Sequence, residues 1–224
     1  ELVQKGIKAD KIQLYPRGID LDQFNPSKRN GFFKNYTRGD RRFKFLYVGR
    51  VSREKNLDLL AQAVRKLGEH SQEGLLCVVG DGPYLKDMKA EMHDLPCLFT
   101  GYLKGESLTA VYASSDIFVF PSTTDTFGNV VLEAQASGLP VIVTDQGGPQ
   151  ENLIPGRTGY VVRAGDIEEF VRAALQLIDN RYLLERMKRN ARNYVQDRSF
   201  EAAYLRLWDS YRTCDPMRLA GNTH

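Results

Sequence analysis

Short apolar runs alternate with segments of helical periodicity through most of this chain. The apolar runs lie at 43–49, 75–80, 97–102, 116–122, 140–145 and 158–164, and the helical patterns between them lie at 57–70, 84–95, 106–115 and 128–138. Alternation of this kind is typical of βαβ units whose strands form a parallel sheet. It predicts an α/β fold with a doubly wound, Rossmann-like sheet. Ligands of such sheets bind beyond the carboxyl ends of the strands, so a functional site is expected in those loops.

The two ends of the chain depart from this alternation. Residues 1–40 hold one short strand-like run followed by a polar connector, which we interpret as a linker. Residues 166–179 and 181–213 are predicted to be helices that pack on the sheet or cross back from it. We therefore divide the chain into a preceding segment with its linker at 1–40, a Rossmann-like domain at 41–180 and closing helices at 181–224.

Composition narrows the functional classes. The 224 residues are 42% hydrophobic and 26% charged, which favours a soluble globular chain with one main core. No apolar run approaches the roughly 18 residues of a membrane span. A net charge of +3 is too small to indicate a nucleic-acid partner. The three cysteines and three histidines are too scattered for a disulfide framework or a metal site, so we expect no metal and a reduced, cytoplasmic setting.

A basic stretch with aromatic residues covers residues 27–55. It holds ten Lys or Arg against two acids, interleaved with Phe32, Phe33, Tyr36 and Phe43. Charge runs are usually solvated, so a linker is the plain interpretation. The alternative is a weak contact with anionic lipid at the inner face of the membrane.

The loop VGRVSREKN follows the first predicted strand. Gly49 allows the backbone to turn, and Arg50 and Lys55 lie just beyond the strand end, where two cations suit a diphosphate. A solvated charged turn is the alternative for this loop. The next loop, GDGP, by itself indicates only a turn.

The stretch PSTTDTFGNVVLEAQASGLPVIVTDQGG carries two acids around a predicted helix start. Asp125 leaves the fourth strand, Gly128 permits close approach of a ligand, and Glu133 lies eight residues after Asp125. Free N–H groups at a helix start attract anions and hydroxyl oxygens, and a carboxylate one turn later leans back toward them. Carboxylates accept hydrogen bonds from paired hydroxyls, such as those of a sugar or a ribose.

The plain alternative assigns these acids to the helix itself. Asp125 or Thr126 would cap the helix, while Glu133 would complement its dipole. The glycine pair Gly147–Gly148 after the fifth strand adds a second close approach at the same sheet edge, which favours a site.

These loops together resemble the C-terminal, donor-binding half of retaining GT-B glycosyltransferases of family 4. The motifs that carry the resemblance are VGRVSREKN, GDGP, FTGYL and PSTTDTFGNVVLEAQASGLPVIVTDQGGPQE, and it covers about residues 43–165. In that family an acid-x7-acid pair, usually two glutamates, flanks the Phe-Gly turn. The resemblance implies that Asp125 contacts the transferred sugar and that Glu133 contacts the nucleotide ribose. Asp125 departs from the pattern because it is one methylene shorter than glutamate.

The resemblance also implies roles for the neighbouring loops. Arg50 and Lys55 would neutralise the donor diphosphate and, with Asp125, form the catalytic set. The donor-binding set would be Gly49, Tyr102, Leu103, Phe127, Gly128, Asn129 and Glu133. Tyr102 and Leu103 would lie beside the base. No cofactor is implied, because the substrate is itself a UDP- or GDP-linked sugar.

A complete enzyme of this family has a first domain with the acceptor site, which the resemblance makes an expected partner of this chain. Residues 1–26 would be the tail of that domain. Asp20 and Asp22 resemble the manganese motif of the other major glycosyltransferase fold, but they lie in a pattern common in this family's connector, so we interpret them as structural. His70 and His93 are interpreted as surface residues.

Three functions are compatible with these residues. The first is the donor-binding domain of a hexosyltransferase, expected to bind its donor but to transfer nothing without the first domain. The second is a GT-B-shaped sugar-nucleotide 2-epimerase, which converts its donor without an acceptor. The third is a noncatalytic sugar-nucleotide-binding module, kept open by the shorter acid at Asp125.

Overall fold

Six parallel strands form one sheet in the computed structural model, which describes residues 2–12, 17–36, 42–70 and 74–214. The strands are β1 Phe43–Val48, β2 Gly74–Val79, β3 Cys97–Gly101, β4 Ile117–Phe120, β5 Val141–Thr144 and β6 Gly159–Val162. Their order across the sheet is β3-β2-β1-β4-β5-β6, and every neighbouring pair is parallel. The predicted doubly wound, Rossmann-like sheet is therefore confirmed.

The central strands are buried because helices cover both faces of the sheet. Every residue of β2, β4 and β5 is buried, which explains why these strands appear in the sequence as continuous apolar runs rather than as alternating ones. Phe120 of β4 stacks on Tyr47 of β1 with ring centroids 5.7 Å apart, and on Phe118 at 6.0 Å. This aromatic layer lies directly below the loops that follow β1 and β4.

Seven α-helices accompany the sheet in the described part of the chain. They are α1 Leu57–Glu69, α2 Leu85–Glu91, α3 Gly105–Ser114, α4 Asn129–Ala136, α5 Ile167–Asp179, α6 Arg181–Tyr194 and α7 Phe200–Cys214. The four predicted crossover helices are present, although α2 ends earlier than its pattern indicates. Side chains cap the first two helices after β6: Asp166 accepts from Glu169 N at the start of α5, and Asn180 accepts from Leu183 N at the start of α6.

The predicted helix at 181–213 is wrong, because the structure breaks it into α6 and α7. A 3₁₀ turn at Gln196–Arg198 separates them, and Ser199 is extended. The Ser199 hydroxyl accepts from Ala202 N at 3.0 Å, which caps the start of α7. The break also brings Ser199 alongside Ile19, with which it forms a parallel bridge. The turn thus joins the closing helices to the first part of the chain.

The connector before β1 packs on the core through two of its aromatic residues. Phe32 and Phe33 are buried in the main core, where a short 3₁₀ helix, Phe32–Asn35, packs against α3. Two of the four aromatic side chains considered for lipid contact are therefore covered, whereas Tyr36 is 52% exposed. The interpretation of this connector as a polar, solvated linker is wrong for Phe32 and Phe33. Residues 37–41 lie outside the described part.

No helix in the ranges that the structure describes is both long enough and apolar enough to cross a membrane. Asp20 and Asp22 form a local turn, in which the Asp20 carboxylate accepts from Asp22 N and Gln23 N at 3.0 and 2.7 Å. These hydrogen bonds give the Asp20 carboxylate a role in the turn. His70 and His93 are exposed, and the Nδ1 atom of each lies 2.9 Å from a carbonyl oxygen of its own helix region.

Candidate functional site

The loops after β1 and β4 meet where the winding of the sheet reverses. After β1 the chain proceeds to β2 and β3 on one side, whereas after β4 it proceeds to β5 and β6 on the other. Between two strands that diverge in this way the loops leave a crevice at the carboxyl end of the sheet. Lys55 comes from the first loop and Asp125 from the second.

Lys55 and Asp125 form an ion pair across this crevice. Lys55 Nζ lies 2.6 Å from Asp125 Oδ2, and the two side chains are only 15% and 28% exposed. The Ser122 hydroxyl donates to the same carboxylate oxygen at 2.5 Å. Two donors therefore converge on Oδ2. The other carboxylate oxygen has no protein partner among the described residues.

Asn56 joins the two loops next to this pair. It has a left-handed backbone conformation with φ of 53°, which asparagine tolerates better than most residues. Its side-chain amide donates to the carbonyl of Pro121 at 3.4 Å and to the hydroxyl of Thr123 at 3.2 Å. The position of Lys55, one residue earlier, is thus tied to the end of β4.

The start of α4 lies at the same edge of the sheet. Gly128 precedes the helix with φ of 79°, and a Cβ atom there would lie 2.9 Å from Pro149 Cγ, so glycine is required. No side chain caps this helix. The alternative in which Asp125 or Thr126 acts as the cap is therefore wrong. The first N–H groups of α4 are left without a capping side chain.

Glu133 lies one turn into α4 and lines a cavity of about 520 Å³. Asn129 and Leu132 of the same helix line the cavity too, together with Arg17 and Asp20 from the first part of the chain. The Tyr112 hydroxyl of α3 donates to Glu133 Oε2 at 2.8 Å. Burial raises the pKa of the Glu133 carboxyl, and the hydrogen bond from Tyr112 opposes that rise.

The glycine loop after β5 supports the loop that carries Asp125. Gly148 N donates to the carbonyl of Asp125 at 2.8 Å, and the side-chain amide of Asn152 donates to the carbonyl of Phe127. A Cβ atom on Gly148 would lie 2.1 Å from the Thr126 carbonyl oxygen. The close approach predicted for Gly147–Gly148 is therefore an approach of one loop to another.

The sequence profile of the family described as Glycosyl transferases group 1 matches residues 28–194. The chain belongs to this family. The sulfoquinovosyl transferase SQD2 of Arabidopsis thaliana is 35% identical over 205 residues, which are 89% of this chain and 39% of the plant protein. A GDP-mannose-dependent α-mannosyltransferase of Corynebacterium glutamicum is 34% identical over 215 residues, which are 94% of this chain and 49% of that protein.

Solved structures share the fold of this group 1 glycosyl transferase domain. The Anabaena protein HepE, crystallised in complex with UDP, superposes with a TM-score of 0.81 at 19% identity, covering 94% of this chain and 60% of that chain. This likeness concerns the fold. The present chain spans less than half the length of the two curated relatives, at 39% and 49%.

The predicted site residues are not all together in this group 1 domain. Lys55, Asp125 and Gly128 lie at the crevice, and Phe127 beside them carries the Arg17 guanidinium 5.0 Å from its ring centroid. Asn129 is exposed at the start of α4.

The other predicted residues form no hydrogen bond or ion pair with the Lys55–Asp125 pair in the described part of the chain. Arg50 is exposed, and its carbonyl accepts from the buried Tyr47 hydroxyl at 2.9 Å. Gly49 ends β1, where its N–H donates to the carbonyl of Val79. Tyr102 is 76% exposed and follows β3, two strands away from β1. Leu103 is half-buried next to it.

Four residues of the site were missed in the sequence, namely Arg17, Asn56, Tyr112 and Ser122. Ser122 lies three residues before Asp125, so its proximity was detectable. Tyr112 lies in an apolar helix and reaches Glu133 only through the tertiary fold. No group of three or more His, Cys, Asp or Glu in the described ranges is arranged to hold a metal ion.

Proposed function

We propose that this chain is the donor-binding half of a retaining glycosyltransferase that transfers a hexose from a nucleoside diphosphate sugar to an acceptor. The observation that carries the proposal is the Lys55–Asp125 pair at the reversal point of the sheet, beside the start of α4. The crevice offers a cation for a diphosphate and a carboxylate oxygen for sugar hydroxyls. Glu133, which lines the cavity beside α4, offers a second acid for a ribose diol.

Each of these groups suits one part of such a donor. Lys55 and the exposed Arg50 neutralise the diphosphate as it leaves, and the uncapped N–H groups of α4 add a positive dipole end. Asp125 contacts the transferred sugar through the carboxylate oxygen that Lys55 and Ser122 leave available. In a retaining reaction the acceptor attacks from the face that the diphosphate leaves. These cations stabilise the negative charge that develops on the departing diphosphate, so no cofactor is needed for that role.

The relatives support this class of donor. One is named as dependent on GDP-mannose and another as a sulfoquinovosyl transferase. The acceptor site and the catalytic base are proposed to belong to an N-terminal domain of the longer enzyme. Tyr102 and Leu103, after β3, are proposed to contact the nucleobase of the donor.

The domain by itself should bind nucleotides without transferring sugar. Binding of UDP, GDP or ADP and of their sugars is expected at micromolar to millimolar affinity, about 4 to 8 kcal/mol, because closure of a second domain over the donor is missing. A thermal-shift screen followed by calorimetry measures this. Failure of all three nucleotides to bind contradicts the proposal. Conversion of a sugar nucleotide without any acceptor would support a 2-epimerase instead.

The Glu133→Ala variant tests the ribose contact. We expect nucleotide binding to weaken by about 1.5 to 3 kcal/mol, since hydrogen bonds to a charged group are lost. Calorimetric titration with UDP and GDP gives the change. Glu69→Ala is the control, because Glu69 is an exposed acid at the end of α1, away from the cavity. Equal affinities of both variants would leave Glu133 with a role in the helix dipole alone.

A further inference from the structure

We infer that Tyr112 is a positioning residue for nucleotide binding: its hydroxyl fixes the Glu133 carboxylate so that the second oxygen, Oε1, is presented to the ligand. The inference rests on the proposed role of Glu133 as the ribose contact. The geometry that supports it is the 2.8 Å hydrogen bond from Tyr112 to Glu133 Oε2. Within the described ranges no other protein group donates to this carboxylate.

The tyrosine ring is held from two sides, so the hydroxyl is a fixed donor. Tyr112 is 0% exposed. Phe24 packs edge-on against its ring at 5.5 Å and 85°, and Phe118 of β4 lies at 5.9 Å on a tilted plane. Phe24 is itself held, because its carbonyl accepts from the Arg192 guanidinium at 2.9 Å. A ring packed in this way cannot swing aside when a ligand enters.

The hydroxyl also controls the charge of the acid. Burial raises the pKa of Tyr112 well above its ordinary value, so the phenol remains a protonated donor. Burial likewise raises the pKa of Glu133, and donation from Tyr112 lowers it by favouring the ionised form. An ionised carboxylate accepts strongly from two ligand hydroxyls, whereas protonation turns one of its oxygens into a donor and leaves the other a weaker acceptor. The charged groups that line the same cavity are Arg17 and Asp20 from the first part of the chain.

The Tyr112→Phe variant removes this hydroxyl and little else. We expect the affinity for UDP and for GDP to fall about tenfold, the effect typical of losing a group that orients a ligand-binding side chain. Without the donated hydrogen bond the pKa of Glu133 rises further. Binding that requires the ionised acid is then lost at a higher pH on acidification than in the unmodified protein. Calorimetric titrations over the acid-to-neutral range measure both effects.

Tyr84→Phe is a matched control. Tyr84 is also buried, and its hydroxyl also donates to a glutamate, Glu91 at the end of α2. The ligand's own phosphate titration is common to all variants. The acid limb is the range of pH over which nucleotide binding is lost on acidification. A shift of this limb that appears in Tyr112→Phe and not in Tyr84→Phe therefore reports on Glu133.

The Glu133→Gln variant separates this inference from the proposed function. If Glu133→Gln binds nucleotide as well as the unmodified protein does, the proposed ribose contact of Glu133 fails. If Glu133→Gln weakens binding while Tyr112→Phe neither weakens binding nor shifts its pH dependence, the positioning role of Tyr112 is wrong. In the double variant, Tyr112→Phe should add almost nothing to Glu133→Gln. An undiminished extra loss there would show that Tyr112 acts only on the packing.

A second substitution keeps the inference testable if Tyr112→Phe does not fold. Site-specific 3-fluorotyrosine at position 112 keeps the ring and provides a stronger donor. It should move the acid limb of nucleotide binding to lower pH, opposite to the phenylalanine shift. An unchanged acid limb would overturn the inference.

Discussion

The Lys55→Ala variant is expected to weaken the binding of UDP and GDP by about 3 kcal/mol, roughly 150-fold, while uridine and guanosine bind almost unchanged. Lys55 is a poorly exposed cation at the crevice, so its contact with a phosphate is only weakly screened by water. Its removal also leaves the Asp125 carboxylate without its partner, and that negative charge then repels the diphosphate. Calorimetry with each nucleoside and its diphosphate separates the two parts of the ligand.

The Asp125→Asn variant is the matching test of this electrostatic account. In the ligand-free domain Asp125 holds Lys55 at 2.6 Å, so a diphosphate must compete with the carboxylate for the ammonium group. Removing the carboxylate charge should leave UDP and GDP binding equal or tighter, while the corresponding sugar nucleotides lose their sugar contact. If Lys55→Ala weakens nucleoside and diphosphate equally, the cation does not serve the phosphates.

In a complete enzyme the same lysine should matter more for rate than for binding. Charge on the departing diphosphate is greatest in the transition state, so Lys55→Ala should lower kcat by a larger factor than it weakens nucleoside binding. Arg50→Ala should likewise lower kcat by a larger factor than it weakens nucleoside binding. Both effects should be smaller than for Lys55→Ala, because Arg50 is exposed and its charge is more strongly screened.

The Arg192→Ala variant is expected to lower the free energy of unfolding by about 3 to 4 kcal/mol. The Arg192 guanidinium donates to three backbone carbonyls: Ala136 at 2.6 Å, Phe24 at 2.9 Å and Leu21 at 3.1 Å. It therefore caps the C-terminal end of α4 at Ala136, and it connects α6 to the segment before β1. A hydrogen bond from a charged group typically contributes about 1.5 to 3 kcal/mol, and because Arg192 is only half-buried, water replaces part of the three contacts, so the net loss is smaller than their sum. Urea unfolding followed by circular dichroism measures the loss.

Arg189→Ala is the control for this variant. Arg189 is an exposed cation on the same helix, so its removal should change stability by no more than about 0.5 kcal/mol. Because Arg192 also holds the carbonyl of Phe24, which packs on Tyr112, its loss should weaken nucleotide binding as well. Equal stabilities of the two variants would show that water replaces all three contacts.

Local patterns were sufficient for the fold and for much of the site. Alternating apolar runs and helical periods are properties of short stretches, and a parallel sheet with helices on both faces is the arrangement that buries them all. The acids at 125 and 133 and the cation at 55 could be assigned to one sheet edge, because each follows a strand. The start of α4 at Asn129 followed from the glycine before it.

What the local patterns missed depends on packing between distant segments. Phe32 and Phe33 lie in a stretch rich in cations, which indicated a solvated linker, yet α3 covers them. The helical period continues through residues 195–199, and the break there comes from a turn that pairs Ser199 with Ile19. A hydrophobic pattern reports the tendency of a side chain to be buried, but it does not name the partner that buries it.

The sequence by itself determined that this chain is an α/β domain, and it assigned the candidate site residues to loops that follow the strands of a parallel sheet. Only the tertiary structure decided how those loops are combined. Lys55 meets Asp125 across 70 residues because β1 lies next to β4, and the Tyr112 hydroxyl of α3 meets Glu133 of α4 across 21 residues. Strand order and helix packing arise from the sum of many weak contacts over the whole core, so no short stretch of sequence encodes these pairs.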